Sequence, residues 1–83
     1  MIDREVKAFV LKALLAAKQP VTEDFIRTAI ASAFIQVTFT SNELRQYICE
    51  VERAGYIAGI NDDVLGLVWA LTPAGKIKAQ QLR

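Results

Sequence analysis

The sequence contains no histidine and one cysteine, and these two scarcities remove most catalytic and metal-binding chemistry. Histidine is the commonest general base and the commonest metal ligand in proteins. A single thiol without a histidine or a second cysteine forms neither a zinc site nor an activated nucleophile. We therefore expect a protein that is not an enzyme, that holds no metal or cofactor, and that has no identifiable small-molecule substrate.

The chain also lacks a long apolar run and a second thiol for a disulfide. The apolar run Ala8–Ala17 is interrupted by Lys12 and is too short to cross a bilayer. The N-terminal residues lack the basic start and cleavage pattern of a signal peptide. Because Cys49 has no partner within the chain, a reducing setting fits the sequence. We expect a cytoplasmic protein that makes no membrane contact.

The apolar fraction, in contrast, is large for so short a chain. The 83 residues are sufficient for one domain, residues 1–83, and 53% of them are hydrophobic. A domain of this size cannot enclose so much apolar surface, which favours a homodimer or a partner protein. The alternative is a core rich in alanine, and composition alone leaves both explanations open.

Charge is small in total and uneven along the sequence. The net charge is +1, with a balance of +2 over residues 1–20, −4 over residues 21–71 and +3 over residues 72–83. A total this small does not by itself indicate a nucleic-acid-binding protein. Whether a basic surface exists depends on whether the fold brings the two basic ends onto one face.

The first helix is predicted from Asp3 or Arg4 to Ala17, with apolar residues on two faces. The main buried stripe consists of Val6, Phe9, Val10, Ala13, Leu14 and Ala17. A second apolar strip consists of Ala8, Leu11 and Leu15. A helix that is apolar on two faces is either covered by other helices or shared with a second chain. The second strip is therefore the candidate dimer interface.

A second helix is predicted to begin at the cap Thr22, after a break around Pro20. Its inner face is predicted to consist of Phe25, Ile26, Ala29, Ile30 and Ala33. The segment Ile35–Phe39 alternates apolar and polar residues and contains β-branched side chains. This pattern predicts a short extended segment or a third strand.

The third helix has two candidate caps, Thr40 and Ser41. Thr40 is favoured, because it places Glu43 at the third helical position and completes a capping box. The inner face is predicted to consist of Leu44, Tyr47, Ile48, Val51 and Ala54. The outer face is predicted to consist of Asn42, Arg45, Gln46, Cys49, Glu50, Glu52 and Arg53. Gly55 is suited to end the helix in the left-handed conformation.

Two strands, Tyr56–Ile60 and Leu67–Leu71, follow this glycine and are predicted to form a hairpin. Thr72 and Pro73 then predict the start of a short last helix that ends near Gln81. Tyr56 and Trp69 are interpreted as core residues. The predicted class is α+β, mostly α: a winged helix with three helices, a two-stranded hairpin and a short C-terminal helix, with a short third strand if Ile35–Phe39 is a strand and not merely an extended segment.

Two segments of this pattern resemble the winged helix-turn-helix superfamily. Residues 52–57 (ERAGYI) are similar to the end of the family's third helix and its first wing strand. Residues 69–75 (WALTPAG) are similar to the exit from its second wing strand. The resemblance extends over about residues 6–80. It implies a DNA-binding module, often homodimeric, with the third helix in the major groove and the hairpin as a wing.

The resemblance assigns nucleic-acid contacts, in a role like that of a transcription regulator, to helix 41–54. Side chains of the types that contact phosphates and base edges lie there: Ser41, Asn42, Arg45 and Gln46, with Arg53 towards phosphate. Two departures favour an alternative. The connection at residues 34–39 is longer than a tight turn, and the hairpin turn carries Asp62 and Asp63, which would repel phosphate. The alternative is a protein-interaction or assembly module that uses the apolar first helix and the acidic wing.

Overall fold

The computed structural model describes residues 2–82 and has an α+β fold that is mostly helical. Within these residues it contains four helices and a three-stranded antiparallel sheet. The elements are α1 Ile2–Ala17, β1 Val21–Thr22, α2 Glu23–Ala33, α3 Ser41–Arg53, β2 Ile57–Asp62, β3 Gly66–Leu71 and α4 Pro73–Gln81. The predicted class, α+β and mostly α, is confirmed.

Three of the helices begin at a threonine that caps the first turn. The hydroxyls of Thr22, Thr40 and Thr72 each accept the amide three residues further on, at 3.2, 3.1 and 3.0 Å. Glu43 accepts the Thr40 amide at 2.9 Å, which completes the predicted capping box. Each cap satisfies a donor that the helix leaves unpaired. The starts of α2, α3 and α4 therefore follow from local sequence.

The sheet has the strand order β1-β3-β2, so β3 is its central strand. The predicted hairpin is confirmed, with β2 and β3 paired from Ile57 opposite Leu71 to Asp62 opposite Gly66. Gly55 takes a φ of 85°, the left-handed conformation predicted for it at the end of α3. This glycine lets the chain turn from α3 directly into β2.

The third strand is not where the alternating pattern predicted it. Residues 34–37 form a turn, and the side chain of Ile35 is 83% exposed. The third strand is instead β1, which directly precedes α2 in the chain and pairs antiparallel with β3. A strand of two residues is too short for periodicity to reveal. The prediction of a strand at Ile35–Phe39 is therefore wrong.

A row of four aromatic rings holds the connection between α2 and α3. Phe9 of α1 contacts Phe34, Phe34 contacts Phe39, and Phe39 contacts Tyr47 of α3, with ring centroids 5.7, 6.3 and 5.9 Å apart. All three pairs are edge-to-face, the arrangement that aromatic quadrupoles favour. Because both ends of the connection are anchored inward, the chain between them bends and does not extend as a strand.

The core lies between α1 and the elements that pack around it. Buried apolar side chains are Val6, Val10, Leu11, Leu14, Val21, Ile26, Ile30, Tyr47, Ile48, Val51, Ile57, Trp69 and Ala79. Tyr56 is half-buried and packs against this cluster. Trp69 is thus a core residue, and Tyr56 lines the core, as the sequence predicted.

Four side chains differ from their predicted burial. Leu11, assigned to a separate face of α1, is 3% exposed, because α1 is contacted by α2, α3, α4 and β3 together. Phe25 is 49% exposed and Ala33 is exposed, because α2 buries a narrower face than its apolar residues suggest. Ala54 is exposed because it is the cap beyond the last turn of α3.

Substitution of Gly75 tests how closely α4 packs against the start of the hairpin. A Cβ at this position would lie 2.8 Å from the carbonyl carbon of Tyr56 and would overlap its oxygen. Helix propensity alone favours Gly75→Ala by about 1 kcal/mol, but the overlap is with backbone and cannot be relieved by a side-chain rotation. We expect Gly75→Ala to lower the free energy of unfolding by about 2–3 kcal/mol, measured by urea denaturation.

The matched control is Ala74→Ser, at the neighbouring exposed position of α4. We expect this variant to change the free energy of unfolding by less than about 0.5 kcal/mol. A Gly75→Ala protein as stable as the unmodified chain would contradict the contact between α4 and the Tyr56 carbonyl.

Candidate nucleic-acid interface on the third helix

Helix α3 has one buried face and one exposed face. Tyr47, Ile48 and Val51 are buried against the core. The exposed side chains of the helix include Ser41, Asn42, Arg45, Gln46, Cys49, Glu52 and Arg53. The five residues predicted to contact nucleic acid all belong to this exposed set. They can therefore meet a partner without rearrangement of the fold.

The predicted contact residues do not form a single cluster, because Arg45 and Gln46 diverge. Arg45 Nη2 lies 4.0 Å from the Glu23 carboxylate of α2, and the Arg45 side chain is 68% exposed. Gln46 Nε2 donates to Glu50 Oε2 at 3.1 Å, on the side of α3 that faces α1. Successive helical residues lie about 100° apart around the axis. The side chains of Arg45 and Gln46 therefore lie on two different sides of the helix.

Asn42 and Arg53 lie in the middle of the exposed face. They are separated by about three turns, so they share one side of the helix. Arg53 makes no ion pair with any other residue in the range 2–82. It also lies in the last turn, where the helix dipole favours a cation. This face therefore offers an amide at one end and an unpaired guanidinium at the other.

Arg45 is only loosely held within the chain. Its neighbour Glu23 forms a closer ion pair with Arg27, at 2.7 Å. An exposed pair at 4.0 Å is largely screened by solvent and contributes little to stability. Arg45 can therefore leave Glu23 at little cost. Two exposed carboxylates of the same helix, those of Glu43 and Glu52, oppose an anionic partner, whereas Glu50 is paired with Lys7 of α1.

The hairpin beside α3 presents carboxylates and apolar side chains, and the sequence has no Lys or Arg between residues 54 and 75. Asp62 Oδ1 accepts the amides of Leu65 and Val64 at 2.9 and 2.8 Å, and these bonds hold the pKa of Asp62 below its ordinary value. Asp62 therefore shapes the turn. Large exposed apolar side chains of the hairpin are Ile60, Val64, Leu65 and Leu67, with Val64 89% exposed.

Sequence reasoning missed this apolar hairpin surface. The signal was present as two apolar residues, Val64 and Leu65, inside a turn between aspartates and Gly66. Turn positions are usually polar, so apolar side chains there are informative. Asp62 and Asp63 together with Val64 and Leu65 give the hairpin an acidic and apolar tip, which fits a protein surface better than a phosphate backbone.

The fold gathers the two basic ends of the chain, because α1 and α4 pack against each other. A groove of about 430 Å³ between α1, α3 and α4 has Arg4, Lys7 and Lys78 on its wall. A second groove of about 530 Å³ has Lys18 and Lys76 on its wall. The sequence showed that both ends of the chain are basic, but it could not show that the helices that carry these cations pack against each other. The cations lie on the α1 and α4 side and not on the exposed face of α3.

The candidate dimer residues on α1 do not form one exposed strip. Ala8 and Leu11 line the groove between α1, α3 and α4, whereas Leu15 lines the second groove. Leu11 is buried within the single chain, and Ala8 and Leu15 are half-buried. Of the three, Ala8 and Leu15 retain surface that a second chain could contact.

Three further observations concern the range of residues 2–82. No group of three or more Cys, Asp or Glu side chains there is arranged to hold a metal ion. None of the helices in that range combines the length and the apolar character needed to cross a membrane. Cys49 is an exposed thiol on the outer face of α3.

Two polar contacts fix α3 against α1 and so orient its exposed face. Lys7 Nζ donates to Glu50 Oε1 at 2.8 Å, which holds the pKa of Glu50 below its ordinary value. The Tyr47 hydroxyl donates to Asp3 Oδ1 at 2.8 Å. This hydrogen bond, followed by burial, raises the pKa of Tyr47 to about 12. Both contacts join the first turns of α1 to the middle of α3.

Alkaline titration tests the Tyr47 contact. Because the folded pKa of Tyr47 is raised from 10.0 to about 12, the contact stabilises the fold fully below pH 10.0 and loses its contribution as the pH rises towards 12. In a Tyr56→Phe background, we expect ultraviolet phenolate absorbance to report this raised pKa. Asp3→Ala removes the acceptor and should bring the pKa of Tyr47 down.

The control for this titration is Glu5→Ala, which removes a carboxylate from the same turn of α1. We expect it to leave the pKa of Tyr47 raised. An equal pKa in Asp3→Ala and in the unmodified chain would refute the contact between α1 and α3.

Comparison of the chain with protein-family models, with curated proteins and with solved structures finds no match. Assignment of a function therefore depends on the geometry and chemistry of this chain's own residues. Three features of the described surface bear on function: the exposed face of α3, the acidic and apolar hairpin, and the two grooves along α1.

Proposed function

We propose that the chain is a winged-helix domain that binds DNA through the exposed face of α3, in a regulatory or architectural role. The observation that carries this proposal is the uncovered outer face of α3, with Asn42, Arg45 and Arg53 free to meet a partner. A helix of this diameter fits the major groove, where an Asn side chain reads a base edge and Arg side chains contact the flanking phosphates. Ser41, which is exposed in the first turn, would contact phosphate.

The order of elements supports the proposal. A helix, a short strand, two helices and a β-hairpin follow one another, and the hairpin contacts α3. The resemblance to winged helices implies three helices followed by a hairpin, which agrees with α1, α2, α3 and a wing formed by β2 and β3; it did not include a strand between α1 and α2. The short strand β1 pairs with β3 and ties the sheet to the start of α2.

The charge of this face predicts weak, mainly helix-mediated binding. Two arginines face outward, and the wing contributes no cation. Two phosphate contacts give a slope of about −2 in a plot of log affinity against log salt concentration. This is a shallow dependence compared with that of proteins that contact many phosphates. Binding should therefore be detectable at low salt and weak at physiological salt.

Titration of labelled duplex DNA at several salt concentrations tests the proposal. We expect Arg45→Ala and Arg53→Ala each to weaken binding about fivefold and to reduce the magnitude of the salt slope by about 1. Fluorescence anisotropy measures both quantities. Circular dichroism should show an unchanged fold, because both side chains are exposed.

The matched control is Lys12→Ala, which removes the same charge from an exposed position of α1. We expect it to leave DNA binding unchanged. Two results would contradict the proposal: no binding at low salt, or equal weakening by Lys12→Ala and Arg53→Ala. The second result would move the interface to the α1 and α4 side.

A second candidate is a protein-interaction module that uses the hairpin. It is favoured by the exposed apolar side chains Ile60, Val64, Leu65 and Leu67 at a hairpin that has no cation. β2 is also an edge strand, since β3 pairs with it on one side only. An exposed edge beside apolar side chains is a surface that another chain can extend or cover.

Sedimentation of the purified chain over a range of concentrations tests self-association through this surface. If the hairpin mediates it, we expect Val64→Ser with Leu65→Ser to shift the chain towards monomer, because these changes remove exposed apolar area. Leu15→Gln, on α1, should have no such effect. The opposite pattern would assign the contact to the α1 strip, and a monomer at every concentration would exclude a homodimer.

A further inference from the structure

The second groove described above runs along the last turn of α1, the turn into β1 and the junction of β3 with α4. Its volume is about 530 Å³, within the range of sites that hold small molecules. Leu15, Pro20, Ala70 and Leu71 supply apolar surface, and Lys18 and Lys76 supply the charged groups. None of these residues takes part in the proposed DNA contact.

The charges in this groove are of one sign. Its lining includes two lysines and no Asp or Glu. Neither Lys18 nor Lys76 forms an ion pair with another residue in the part of the chain that the structure describes. Apolar walls beside two cations are complementary to an organic anion. Because Lys18 and Lys76 are both exposed, solvent screens their attraction for an anion, and the apolar contacts add to it.

The groove between α1, α3 and α4 differs in this respect. Its wall carries Asp3 and Glu50 beside the cations, and Lys7 already donates to Glu50 at 2.8 Å. Asp3 accepts the Tyr47 hydroxyl. Its charges are therefore largely satisfied within the chain, whereas those of the second groove are not.

Helix stability does not explain why a cation occupies position 76. Lys76 lies in the first turns of α4, near the positive end of the helix dipole, where a cation is unfavourable. Lys18 follows the last turn of α1 with a φ of 59°, a left-handed conformation that glycine or asparagine adopts at lower cost. Lys76 therefore carries its charge at the unfavourable end of a helix dipole. At Lys18 the backbone conformation is unfavourable for lysine, whereas a cation beside the C-terminal end of α1 is favourable.

We propose that this groove binds a small organic anion with an apolar body, an aryl or alkyl carboxylate, between α1 and the β3–α4 junction. The carboxylate pairs with the ammonium groups of Lys18 and Lys76. The apolar body packs against Leu15, Ala70 and Leu71. This site is separate from the exposed face of α3, so it stands whether or not the chain binds DNA.

The probe for this site is 4-phenylbutyrate, with 4-phenylbutan-1-ol as the uncharged counterpart of similar size. Titration of the isotope-labelled full chain, followed by amide chemical shifts, locates and measures binding. We expect 4-phenylbutyrate to shift the amides of Leu15, Ala70 and Lys76 and to bind about tenfold more tightly than the alcohol, since two partly exposed ion pairs are involved.

Variants assign the charge selection to the two lysines. We expect Lys18→Gln and Lys76→Gln each to weaken 4-phenylbutyrate binding about threefold and to leave the affinity for the alcohol unchanged. Lys12→Gln is the matched control: it removes an equal charge from α1 at a residue that does not line the groove. It should bind like the unmodified chain.

Several outcomes would overturn the proposal. Equal affinity for the alcohol and the carboxylate would show that charge does not select the occupant. Shifts confined to the groove between α1, α3 and α4, or equal weakening by Lys12→Gln, would place the anion elsewhere. Shifts of the same amides on concentrating the chain without the probe would show that a second copy occupies the groove. No binding of 4-phenylbutyrate at millimolar concentration would also overturn it.

Discussion

The burial of one face of α1 is the constraint on which the rest of the structure depends. Val6, Val10 and Leu14 are almost completely buried, and α2, α3, α4 and β3 all contact this helix. A fully buried side chain of this size contributes about 1.5–3 kcal/mol relative to an exposed one. Because α3 gives its apolar face to α1, its opposite face is left to solvent. The candidate interface is a consequence of that packing, and Lys7 with Glu50 fixes its orientation.

Local chemistry made part of this fold predictable. The threonine caps, Gly55 and the β2–β3 hairpin were predicted correctly, because each depends on residues adjacent in the chain. Three other features were not predicted: strand β1, the burial of Leu11 and the exposure of Phe25. Each depends on which element distant in the sequence pairs with the residue or packs over it. The exposure of the α3 face was predictable from its period, and so was the angle between Arg45 and Gln46. The contact of Arg45 with Glu23 of α2 was not predictable, because it depends on how α2 packs against α3.

The surface divides into regions of different chemical character. The outer face of α3 combines amide, hydroxyl and guanidinium groups, and the hairpin combines carboxylates with apolar side chains. Cations gather where α1 meets α4, a pairing that brings together the first and last segments of the chain. Charged side chains are therefore distributed unevenly over the described surface, and their fields act locally and not through the net charge of +1. For this reason nucleic-acid binding and small-anion binding are proposed for different faces.

The contact between Gly75 and Tyr56 also governs how the hairpin can pair. The Thr72 amide donates to the Tyr56 carbonyl at 3.0 Å, and α4 begins at the next residue. If β3 slid by one residue along β2, a position carrying a side chain would replace Gly75 against that carbonyl. A slip of this kind would also turn Trp69 from the core towards water. The packing of α4 against Tyr56 therefore permits one register between β2 and β3.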